Sequence, residues 1–185
     1  MRTQQKAIRF IAETAIGIAL VVLAQLAGKL FPAGAVVIGP LSVTQLITGS
    51  LVNCVLFVFA ARTGALSGIC IGLFSSALAF LLGVGPALIQ LVPVIACGNA
   101  ILAGLFGLSR RTKLDSRIAM VCCALIKCGF LWVSVPAVIA TLGTVPEKQA
   151  AVMSATFSWP QGVTALIGGV LALIIIPRIM KAKAN

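Results

Sequence analysis

Hydrophobic positions in this chain neither alternate nor keep to one helical face. They run on for about twenty residues at a time, the length that crosses a bilayer as a helix, before a short break rich in Gly, Pro or charge. Six such runs predict helices over 8–30, 43–61, 65–82, 87–108, 117–142 and 159–180. The breaks differ in character. The first, 31–42, is apolar but carries Gly and Pro, and the second, 62–64, is a bare turn. Gly83-Val84-Gly85-Pro86 forms the third, 109–116 is the most hydrophilic stretch, and the fifth contains Pro146-Glu147-Lys148. The pattern predicts an all-α membrane protein, a single six-helix transmembrane bundle over 1–185. Basic residues precede the first run as in a secretory signal, but that run is of full spanning length, so a retained first helix is expected. No internal repeat is apparent, which gives no support to an inverted-repeat carrier.

Composition closes off the soluble classes. Of 185 residues, 61% are hydrophobic and 9% charged, with a mean hydropathy of +1.18, against about 25% charged residues in soluble domains. The net charge of +11 would suit nucleic acid if it formed a surface stripe, but the basic residues fall between apolar runs, so no nucleic-acid partner is expected. Their distribution predicts orientation instead. With six spans, Arg2, Lys6, Arg9, Arg62, Arg110, Arg111, Lys113, Arg117, Arg178, Lys181 and Lys183 share one side, and only Lys29 and Lys148 fall on the other. Positive loops stay inside, so both termini are expected in the cytoplasm and the chain in the cell membrane.

The inventory of reactive groups is thin. There is no His and no Tyr, and the acids are Glu13, Asp115 and Glu147. No nucleophile–base set or carboxylate pair can be assembled from them, so no enzymatic activity is expected. Glu13 follows Arg9 by four residues, the spacing of a local ion pair. The six cysteines, Cys54, Cys70, Cys97, Cys122, Cys123 and Cys128, lie in apolar runs without CxxC spacing. They read as packing residues, with no metal and no cofactor implied. No phosphate-binding glycine loop is present, so the chain is not expected to hydrolyse ATP.

Polar residues inside the runs are the candidates for recognition. Lys127 lies about ten residues into the fifth helix, roughly 15 Å from its cytoplasmic end. It either meets an anionic ligand group or, the plainer account, snorkels or bonds to carbonyls and to polar groups such as Asn99. Gln45 and Thr48 open the second helix, Gln90 the fourth, and Ser158, Trp159 and Gln161 the sixth. All lie at outer ends beside irregular loops, an arrangement suited to a pocket for a mostly neutral small molecule. An interfacial aromatic belt with helix caps is the alternative. Ala15 and Ala19, four apart in the first helix, would let another helix approach closely. Gly68 with Gly72, and Gly168-Gly169, are expected to pack within the bundle.

Three segments, AETAIGIAL (12–20), VIGPLSVTQLITGSLVN (37–53) and GVGPALIQLVPVIACGN (83–99), together with the size and six-helix layout, resemble the substrate-binding S components of energy-coupling factor (ECF) vitamin transporters. The resemblance implies a vitamin-binding protein that works with a transmembrane coupling subunit and two cytoplasmic ATPases. It implies a ligand held near the outer face by the first, third and fifth loops and the outer ends of helices four to six, and transport by toppling of the whole subunit. On this resemblance Gln90, Asn99, Trp132, Trp159 and Gln161 are candidate ligand contacts, and Ala15 and Ala19 match the motif that docks on the coupling subunit. The shortage of aromatic residues disfavours planar vitamins. Cobalamin is expected ahead of pantothenate, whose carboxylate Lys127 would favour. A small scaffold that binds other membrane proteins, without a vitamin, is the alternative.

Overall fold

The computed structural model describes residues 2–31 and 36–182, and within them the regular secondary structure is helical apart from one small hairpin. In chain order the elements are α1 (Arg2–Gly28), β1 (Val36–Ile38), β2 (Leu41–Ser42), α2 (Val43–Thr63), α3 (Ala65–Leu81), α4 (Leu91–Ser109), α5 (Ser116–Leu142), α6 (Glu147–Thr156) and α7 (Trp159–Ala182). Five helices are long and apolar enough to cross a membrane, and α3 is an apolar helix of 17 residues.

Local chemistry accounts for the boundaries. Ser42 caps α2, its Oγ accepting from the Gln45 N–H at 3.1 Å, and Asp115 caps α5 through the Arg117 N–H at 2.7 Å, as short side-chain acceptors do at helix starts. Gly143 ends α5 in the left-handed conformation, φ 61°, a backbone that glycine adopts without strain.

Three departures from the sequence expectation have physical causes. The fourth helix begins at Leu91 and not at 87. Pro93 then sits in the first turn, where its missing N–H has no intrahelical partner to lose. A start at 87 would put it in the helix interior, against the carbonyl of Ile89. Residues 88–92 run instead through tight turns, Leu91 N–H to the Leu88 carbonyl at 3.1 Å and Val92 N–H to the Ile89 carbonyl at 3.0 Å. The connection after α5, read as a loop, contains α6, a run of strong helix formers that starts directly after Pro146. The apolar first connection holds the antiparallel β1–β2 hairpin, with Ile38 opposite Leu41 and Gly39 at φ 53° in its turn. Its residues 32–35 lie outside those described. The remaining helix ends shift by a few residues; the first helix, expected over 8–30, covers 2–28.

The bundle is built on close pairs. α3 lies along α4 and α2 along α7, with α1 against α2 and α3. Small residues set these distances. A Cβ on Gly72 would stand 2.9 Å from the backbone nitrogen of Ala100, and one on Gly168 would stand 2.8 Å from the backbone nitrogen of Cys54. Two apolar clusters result. The larger, around Phe57 and Phe106 with rings edge-on at 4.8 Å, fills the end that carries the α2–α3 and α4–α5 turns. The smaller, Leu91, Leu131, Val135, Ile139 and Met153, joins α4, α5 and α6 at the other end. Between them the packing opens.

Candidate functional site

A cavity of about 370 Å³ occupies this opening. Its walls come from the last turns of α1 (Gln25), the first half of α2 (Thr44, Gln45, Thr48, Asn53), the end of α3 (Ser75, Ser76) and residues 84–87. The first half of α4 (Asn99), the middle of α5 (Lys127), the end of α6 (Met153, Thr156) and the start of α7 (Gln161) complete it. Every contributing helix except α5 presents one end here, the end away from the α2–α3 and α4–α5 turns.

The polar groups form two networks. In the first, buried Lys127, with 2% of its surface exposed, donates from Nζ to Asn53 Oδ1 at 2.6 Å. Asn53 Nδ2 makes a long contact of 3.5 Å to Thr164 Oγ1. In the second, Asn99 Nδ2 donates to Ser75 Oγ at 2.8 Å and to Ser76 Oγ at 3.3 Å, and Ser75 Oγ donates to the Gly72 carbonyl at 2.7 Å. Gln25 Nε2 donates to the Ser75 carbonyl at 2.7 Å. A separate bond, Gln45 Nε2 to the Thr156 carbonyl at 2.9 Å, ties the first turn of α2 to the last residue of α6. Two buried side-chain atoms of cavity-lining residues, Gln25 Oε1 and Thr48 Oγ1, have no hydrogen-bond partner among the described residues. Groups buried in this way are ordinarily satisfied, so the lining offers unused hydrogen-bonding capacity.

Five residues singled out from the sequence, Gln45, Thr48, Asn99, Lys127 and Gln161, line this cavity together. Four do not. Ser158 is buried, its Oγ donating to the Ala155 carbonyl at 2.6 Å. Gln90 lies exposed in the turns before α4. Trp132 is 54% exposed, about 140° around α5 from Lys127 at 100° per residue. Trp159 is partly exposed beside the hairpin, with its ring 3.8 Å from the Cβ position of Gly39. Lys127 pairs with Asn53 and not with Asn99, which is committed to α3. Gln25, Asn53, Ser75 and Ser76 had no place in the sequence expectation, although an amide or hydroxyl pair inside an apolar run is the signal that marks Lys127.

Away from the cavity, Glu13 pairs with Arg9 at 2.9 Å and reaches Arg62 at 3.7 Å. Ala15 and Ala19 lie exposed on α1 beside Ile16 and Leu20, on the face turned away from α2 and α3. Thr14 and Gly17 occupy the inward face, Thr14 hydrogen-bonded to Ser67 at 2.8 Å and Gly17 against Ile71. No three potential metal ligands come together among the described residues. Comparison with known proteins gave no match: no family model, no curated protein and no solved structure corresponds to the chain.

Proposed function

We propose that this chain is the solute-binding subunit of an ATP-driven, ECF-type vitamin uptake transporter in the cell membrane. The observation that carries the reading is the cavity. It has about 370 Å³, within the range of small-molecule sites, and its walls combine apolar side chains with convergent amides and hydroxyls and with Lys127. In this reading α3 is the sixth span beside the five longer helices, and both termini face the cytoplasm. Arg9, Arg62, Arg110, Arg111, Lys113, Arg117, Arg178 and Lys181 then mark the inner side, and the cavity belongs to the outer end, where a captured solute would enter.

The resemblance implies that ATP is hydrolysed by two separate cytoplasmic subunits, with a transmembrane coupling subunit between, and the sequence itself carries no phosphate loop. The exposed Ala15–Ala19 face of α1 is the docking surface for that coupling subunit. It is equally the feature a membrane scaffold without a ligand would have, and the cavity favours the solute-binding reading over it. Size reorders the expected ligands. Cobalamin, a macrocycle with an appended nucleotide, is much bulkier than the cavity, whereas pantothenate fits its dimensions.

Calorimetric titration of the purified protein with a panel of vitamins tests the reading. A ligand of submicromolar affinity is expected. A folded protein that binds no member of the panel refutes it and leaves the scaffold.

A further inference from the structure

Among the described residues the cavity is lined by one ionisable side chain, Lys127, and by no carboxylate. The three acids of the chain all lie elsewhere: Glu13 pairs with Arg9 and Arg62, Asp115 caps α5, and Glu147 stands in the first turn of α6. Lys127 is buried and its one side-chain partner among the described residues is the neutral amide of Asn53. An ammonium withdrawn from water into such a site is poorly compensated until an anion joins it.

The opposite wall has the complementary property. Gln25 is 3% exposed, and its Nε2 is fixed on the Ser75 carbonyl. A carbonyl only accepts, so the amide cannot flip, and Oε1 remains an acceptor without a donor among the described residues.

Resting on the solute-binding reading above, we propose that the ligand is a monoanionic carboxylic acid that also carries a hydroxyl or amide N–H donor. Its carboxylate meets Lys127 Nζ, and its donor meets Gln25 Oε1. Charge arithmetic selects the class. One ammonium neutralises one carboxylate. A phosphate monoester would leave uncompensated negative charge in a low-dielectric site, and a cationic vitamin would add a second positive charge to it. A neutral ligand would leave Lys127 as it is.

Matched pairs of compounds test this. Pantothenate and pantothenol differ in the carboxylate alone, as do biotin and biotinamide; thiamine supplies a cation and pyridoxal 5′-phosphate a dianion. By calorimetry on the purified protein, one of the two acids should bind, and its neutral counterpart should bind about tenfold or more weakly. Lys127→Met, which retains the apolar stem, should abolish that difference, and Gln25→Leu should weaken binding of the acid while preserving it. The wild-type comparison needs no variant, so a misfolded Lys127→Met leaves the test intact. If pantothenol, biotinamide, thiamine or pyridoxal 5′-phosphate binds as well as or better than both acids, the carboxylate inference is overturned and solute binding stands. If none of the six compounds binds to protein with a cooperative thermal transition, the solute-binding reading itself fails, and the inference fails with it.

Discussion

Replacing Asn53 by Leu should destabilise the fold more than replacing Lys127 itself. Asn53 Oδ1 is the acceptor that holds Lys127 Nζ at 2.6 Å, and both residues are at most 2% exposed. A hydrogen bond to a charged group contributes about 1.5–3 kcal/mol, and stranding a buried charge carries its desolvation penalty as well. The other side-chain contact of Asn53, 3.5 Å to Thr164, is too long to add much. Asn53→Leu should therefore cost about 2–3 kcal/mol, close to a thirtyfold or larger rise in the unfolded fraction. Lys127→Met removes the charge together with its need for a partner and should cost about 1 kcal/mol, the price of an unpaired Asn53 carbonyl. With both partners apolar, the double variant should lie near Lys127→Met alone, since paired replacement by groups of similar shape is nearly neutral. Titration with a denaturing detergent, followed by the fluorescence of Trp132 and Trp159, measures all three variants. Strict additivity of the two substitutions, or an Asn53→Leu cost below about 0.5 kcal/mol, would refute the assignment of Lys127 to Asn53.

Three further outcomes are expected. Gly72→Val should lower the thermal midpoint, because even its Cβ would stand 2.9 Å from the α4 backbone and overpacking costs about 1–3 kcal/mol. Gly129→Ala, where nothing lies within 4 Å, should raise the midpoint through helix propensity of up to about 1 kcal/mol; the same melting assay checks the opposite signs. In a background without native cysteines, Lys148→Cys in intact cells should react with a membrane-impermeant maleimide and Lys113→Cys only after permeabilisation, and the reverse pattern would invert the proposed orientation. Large residues at Ala15 and Ala19 together should reduce vitamin uptake in whole cells while calorimetric affinity survives, and parallel loss of both would contradict a docking face separate from the cavity.

The long apolar helices were legible because apolar runs and their breaks are properties of the chain alone. Which residues meet across helices was not. Gln45, Asn99, Lys127 and Gln161 stand out as polar positions in apolar surroundings and converge on the cavity, but Asn53 and Gln25 carry the same signal and gain their roles only from the packing of α2 on α7 and of α1 on α3. Gln90 was misplaced through Pro93, whose first-turn position delays α4 until Leu91. Trp132 was misplaced by helical phase: counted from Lys127, it falls on the outward face. Helix α6 was readable from its helix formers, yet its weak apolar character hid it among the loops.

The shortness of α3 has a consequence for the lipid around it. A single residue, Gly64, joins it to α2, so the two helices start level at that end, but α3 has 17 residues against the 21 of α2. At 1.5 Å per residue it stops about 6 Å short of its neighbour and spans about 25 Å, less than the roughly 30 Å hydrocarbon thickness of a typical bilayer. The shortfall lies where residues 84–87 close the cavity. With α3 as the sixth span, as proposed above, the bilayer beside that wall has to thin or the flanking residues have to adapt. On the solute-binding reading, affinities measured in short-chain and long-chain lipid should therefore differ.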